Sequence, residues 1–226
     1  MNMIDYNTKL TEVSFPLTGI EIRKIIVANA ISFIGISAGN PLTYNKFEKL
    51  LGPVNGKWDL NRPFRVYKKN GKWITQGIST CSLVARSIWR RSGVDMPQIY
   101  NNYNLGKSMV EEQRFCRNVE PYGAWHTPRK NDGIVPLTGA YIIIGSGLST
   151  HNITCIGYDG DKLISVDGGR TDHTGLQCIE KVSRDLTFKN GYPYIGSRKV
   201  IGWAEVDLLP FKNIVTAPFG WEDIEL

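Results

Sequence analysis

Beyond Ala140 the sequence takes up a two-residue rhythm that strands satisfy and helices do not. Residues 141–144, 151–158, 162–167, 176–181 and 200–206 are short runs rich in β-branched and aromatic side chains, separated by Gly, Asp and Asn. Upstream the period is helical. Residues 17–35 carry Thr18 and Glu21 as a capping box, with Ile22, Ile25, Ile26 and Phe33 at helical spacing for the core. A second short helix over 43–51 stops at Gly52 and Pro53. A third, over 80–92, places Cys81, Val84, Ala85 and Ile88 at i, i+3, i+4 and i+7 and closes on Gly93. Arg86, Arg90 and Arg91 are expected on its solvated face. Asn70-Gly71 between residues 64–67 and 73–75 predicts a β-hairpin. Helices first and an antiparallel sheet afterwards predict an α+β fold.

A chain of 226 residues with 42% hydrophobic residues buries a core without staples, and one domain over 1–226 accounts for it. The hairpin is then an insertion at about 62–76, and about 95–135 is a lid or wall segment. That segment holds an amphipathic helix over 107–117 and a loop through Trp125, His126 and Pro128. The sequence has no apolar run long enough to cross a bilayer as a helix, so no membrane insertion is expected. Its first residues lack a basic stretch followed by an apolar one. The expectation is synthesis in the cytoplasm without a signal peptide, with any action on the cell envelope reached by a signal-independent route. The formal charge of +6 is scattered, which suits an anionic polymer, and no basic stripe with interleaved aromatics suggests a nucleic acid. Cys81, Cys116, Cys155 and Cys178 form no CxxC pair, and their spacing resembles neither a disulfide framework nor a zinc site.

Cys81 follows Gly77-Ile78-Ser79-Thr80, which places its thiol in the first turn of a helix capped by Ser79 or Thr80. Backbone N–H groups and the helix dipole favour an anion there, so the thiol has reason to ionise; it also suits a small buried position. A nucleophilic thiol needs a base. His151 opens a strand in which His151, Ile153 and Cys155 share a face. A three-residue turn, Asp159-Gly160-Asp161, sets Tyr158 opposite Lys162 and Ile153 opposite Asp167, on the face of His151. A two-residue turn of Asp159-Gly160 sends Asp167 to the other face. Asn152 and Asp172 are the other candidates for the third member. His126 and His173 read as loop residues.

The order of thiol at a helix start, histidine at a strand start and polar residue on the next strand resembles the papain-like cell-wall hydrolases, the NlpC-type peptidases and the CHAP amidohydrolase/peptidases. Four stretches carry the likeness: Ile25 to Gly35, Thr80-Cys81-Ser82-Leu83-Val84 with its helix closing at Ser92-Gly93-Val94, Pro136 to Ile144, and His151 to Gly160. Thr80 stands where those families have Asp or Trp, Ala140 replaces their Asp, and the Asn-Gly hairpin precedes Cys81. The resemblance implies N-terminal helices packed on a C-terminal antiparallel sheet. It also implies hydrolysis of an amide through a thioester, with Cys81 as nucleophile, His151 as acid and base, Asp167 orienting the ring, and no metal or organic cofactor. The implied substrate is a peptidoglycan peptide, cleaved by a monomer of the phage-lysin or delivered-toxin kind, with an inhibitor or immunity protein as a further partner. A cysteine protease or deamidase acting in a cytosol, and a non-catalytic binding module on the same scaffold, are the alternatives.

Overall fold

Residues 141–144 are apolar without alternation because the strand they form is buried on both faces. The computed structural model describes residues 19–37, 40, 42, 64–69, 72–77, 80–94, 118–146, 149–173 and 175–211. Its helices are α1 (Gly19–Ser32) and α2 (Cys81–Arg91). Its strands are β1 (Phe64–Lys69), β2 (Lys72–Gly77), β3 (Trp125–His126), β4 (Tyr141–Ser146), β5 (Ser149–Asp159), β6 (Lys162–Thr171), β7 (Gln177–Lys189), β8 (Tyr192–Ile195) and β9 (Arg198–Ala204). β1 and β2 pair as the expected hairpin, with Lys69 opposite Lys72. The main sheet runs β3-β9-β4-β5-β6-β7-β8, and β8 pairs back onto β9 through Tyr194↔Lys199 and Ile195↔Arg198.

That last pairing overturns the expected architecture. In place of a papain-like α+β arrangement of helices packed on an open sheet, the described chain is mostly a closed six-stranded antiparallel β-barrel accompanied by two helices. The cause lies in residues 182–199, between the strands expected from alternation at 176–181 and 200–206. Asn190 (φ 52°) and Gly191 (φ 79°) both take the left-handed conformation of a two-residue hairpin turn, so β7 doubles back as β8. Gly196 (φ 61°) then turns β8 into β9 and joins the two ends of the sheet. Register shifts at Ile143/Ile144, Cys155/Gly157 and Asp167/Arg170 add the local bending that closure requires.

Closure separates two cores. Ile142, Ile144, Ile153, Leu163, Ile195 and Trp203 fill the barrel, whereas Tyr141, Ile143 and Val166 turn outward to meet Ile26, Leu83 and Trp89 of the helices. The Trp89 indole donates to the carbonyl of Gly139 at 3.1 Å and meets the Tyr141 ring edge-on. α1 buries Ile22, Ile26 and Ala30 along one stripe, and Asn29 binds the Ser92 hydroxyl at the end of α2 at 2.9 Å. α2 departs from expectation, because Cys81 through Trp89 are all buried. Arg86, assigned to a solvated face, is 5% exposed; only Arg90 of the three arginines is exposed. Trp125 and His126, expected in a loop, form β3 along β9. The helices expected over 43–51 and 107–117 lie outside the described residues. Among the described residues, no helix is long and apolar enough to cross a membrane.

Candidate active site

Two glycines bring α2 to the barrel. Gly168 and Gly169 fall at the irregularity between Asp167 and Arg170 in the β6–β7 pairing. A Cβ on Gly168 would stand 2.7 Å from the Cβ of Val84 and 3.1 Å from the Thr80 carbonyl oxygen, so only glycine admits the helix this closely. Thr80 sits at the N-cap but its hydroxyl makes no cap bond. It accepts instead from the Gly169 N–H at 3.0 Å, while the Thr80 N–H donates to the Gln177 side-chain oxygen at 3.0 Å. Thr80 thus fastens the start of α2 to β6 and β7. The Thr80 hydroxyl therefore caps none of the first-turn N–H groups of α2. Cys81 occupies this first turn and is 4% exposed.

His151 and Asp167 arrive on the interior face of the barrel. Ile144 is opposite His151, and Ile153 is opposite Asp167, with both isoleucines in the barrel core. The second pairing matches the expected register, yet it is reached differently. Asp159 pairs with Lys162, leaving a two-residue turn of Gly160 and Asp161, and continued pairing would send Asp167 to the other face. The bulge between Cys155 and Gly157 shifts the register by one residue and returns Asp167 to the face of His151.

The His151 Nε2 lies 2.7 Å from the Asp167 Oδ2. The Cys81 thiol acts on the same ring and favours its cationic form. Burial alone would push the imidazole down, but the bonds to Asp167 and Cys81 and their charges outweigh it and raise His151 to about 9. Asp167 is 0% exposed. Burial would favour its neutral form, yet hydrogen bonds from His151 and Arg184 and the Arg184 charge hold it below the usual carboxylate range. Asn152, on the opposite face of β5, points its amide at the Cys81 sulfur, Nδ2 to Sγ 3.6 Å. It contacts the Cys81 thiol and not the ring, and so differs from an orienting residue. Asp172, the other alternative, is occupied by the Ser37 hydroxyl and the Leu176 N–H.

The sequence reading missed the far side of Asp167. The Ser165 hydroxyl donates to its Oδ1 at 2.6 Å, and the Arg184 guanidinium binds both carboxylate oxygens and, at 3.0 Å, the Ser165 oxygen. Arg184 follows Val182 and precedes Leu186 in the half-buried stripe of β7, and Leu186 packs on the barrel core. A cation in an inward-facing alternation is the signal that could have found it. Tyr141 approaches from β4: burial pushes its hydroxyl up to about 12 against the pull of Arg86, so it is neutral beside the thiol. Burial likewise raises Cys155 to about 11 and Cys178 to about 12, which leaves both as inert thiols at neutral pH. Cys116 lies outside the described residues. Among the described residues, no cluster of His, Cys, Asp or Glu has the geometry to hold a metal ion. No family model matches the chain, and comparison with curated proteins and with solved structures gives no match.

Proposed function

We infer that this chain is a cysteine amidohydrolase or endopeptidase that cleaves an amide bond in peptidoglycan peptides. The carrying observation is the His151 ring, hydrogen-bonded to the buried Asp167 carboxylate and raised by the Cys81 thiol at the start of α2. A thiol, an imidazole and an orienting carboxylate in that order make up the machinery of thioester chemistry.

The Cys81 sulfur, having passed its proton to His151, attacks the amide carbonyl carbon. First-turn N–H groups of α2 offer donors to the developing oxyanion. The imidazolium then gives its proton to the leaving amine as the C–N bond breaks, and a thioester remains. His151, neutral again, removes a proton from water; the hydroxide attacks the thioester, the C–S bond breaks, and carboxylic acid and thiol are released. Asp167 fixes the ring and stabilises its cationic form throughout.

The substrate class rests on the motif resemblance at residues 77–94 and 134–170 and on the net charge of +6, which favours an anionic wall polymer. Incubation of the protein and of Cys81→Ala with purified peptidoglycan, followed by mass spectrometry of the released fragments, tests the inference. New amine and carboxyl termini with the native chain and none with the variant are expected. Cleavage confined to soluble proteins or to side-chain amides would refute the peptidoglycan assignment while keeping the mechanism. No Cys81-dependent product from any amide would refute both.

A further inference from the structure

An aspartate beside a catalytic histidine helps it and also competes for it. The Asp167 charge attracts the imidazolium that the Cys81 thiolate must hold, and in a dry site that competition is not screened by water. Here a third group changes the balance. Arg184, opposite Leu163 on the neighbouring strand β7, reaches along β6 to bind both oxygens of Asp167, its side chain 17% exposed and its partner's 0%. Ser165 closes the ring of contacts between carboxylate and guanidinium. Counted as ions, Asp167 and Arg184 sum to zero, which leaves His151 and Cys81 as the second neutral pair.

We propose that Arg184 is a positioning residue that offsets part of the charge of Asp167, so that the His151 imidazolium is left to hold the Cys81 thiolate. The proposal rests on the reading of Cys81 as the nucleophile. Among the described residues, the charged and titratable groups facing the site are Asp167 on β6, His151 on β5, Arg184 on β7, and Tyr141 on β4 with Arg86 of α2 beside it. Arg86 and Tyr141 stay unchanged in the variants below, so their influence is common to all.

The test is the pH midpoint of Cys81 alkylation by iodoacetamide, located by mass spectrometry of the intact native protein. The midpoint reports ionisation, whereas access to a thiol 4% exposed sets the overall rate. Arg184→Met keeps the length of the stem and removes the charge; it should raise the midpoint by about one unit, or about tenfold less thiolate at a given pH below it. Arg184→Lys keeps the charge and should hold the midpoint near that of the native chain. The double variant Asp167→Asn with Arg184→Met removes both charges together, which spares the fold an unpaired buried ion. Its midpoint should fall below that of Arg184→Met and return toward the native value. A native midpoint in Arg184→Met, an equal rise in the Met and Lys variants, or a double variant no lower than Arg184→Met would each overturn the proposal. An ordinary thiol midpoint in the native protein would instead overturn the nucleophile reading itself, so the two failures are separable.

Discussion

Asp167→Asn is the most informative single change for stability, since it keeps the side-chain volume and alters only charge and donor pattern. The native carboxylate is 0% exposed and accepts from His151, Ser165 and Arg184. The amide replaces one acceptor oxygen with a donor, so two of these contacts, one of them from Arg184, face another donor, and Arg184 loses its counter-ion. Removing one partner of a buried pair costs about 3–5 kcal/mol. Arg184 retains 17% exposure and recovers some hydration, which places the cost near the lower end, about 3 kcal/mol. In a chain of this size that lowers Tm by about 6–12 °C. Urea unfolding at pH 7 followed by tryptophan fluorescence measures it, with an unchanged slope confirming that compactness is preserved. The double variant with Arg184→Met should be more stable than the sum of the two singles by about 1–3 kcal/mol, because the second change removes the stranded charge. A loss below about 1 kcal/mol for Asp167→Asn, or strict additivity in the double, would refute the reasoning.

Gly168→Ala should destabilise the protein by about 1–3 kcal/mol, as the new methyl forces Val84 and with it α2 away from β6; thermal melting and Cys81 alkylation should both change, and native values in both would contradict the packing argument. Stability should also depend on pH in two windows. Asp167, depressed from 3.8, contributes stability that is present above that value and lost as pH falls through its lower folded value. His151, raised from 6.5 to about 9, contributes stability that is present below 6.5 and lost as pH rises through about 9. Urea midpoints across pH for the native chain and His151→Ala should therefore converge at the alkaline end, and parallel curves there would count against the His151 assignment.

Local chemistry was legible where one segment decides it. The start of α2 at Cys81 could be read from its own neighbours, as could the Asn-Gly hairpin of β1 and β2 and the shared face of His151 and Ile153. Barrel closure was not, because it depends on residues 190–198 bending twice so that β8 meets β9, 3 to 4 residues after β8 ends. The signal was present in Asn190-Gly191, the same dipeptide that marked the earlier hairpin. The His151–Asp167 pairing illustrates a subtler limit. A three-residue turn gave the right partner by a wrong path, since the turn is shorter and the bulge near Ile156 supplies the missing residue. Bulges follow from tertiary bending and leave little trace in alternation. Arg86 and Arg184 are the converse case. A charged residue suggests solvent, and only the packing of neighbouring elements reveals that one lies beside Tyr141 and the other against Asp167.

The central claim is that His151 holds Cys81 as a thiolate, and the alkylation midpoint of Cys81 with and without His151 tests it most directly. The account predicts that Cys81 in the native protein is labelled with a midpoint well below about 8.5, the ordinary thiol value, while Cys155 and Cys178 stay unlabelled at neutral pH. His151→Ala should move the Cys81 midpoint upward by a unit or more. A native midpoint at or above the ordinary thiol value, unmoved by His151→Ala, would contradict it.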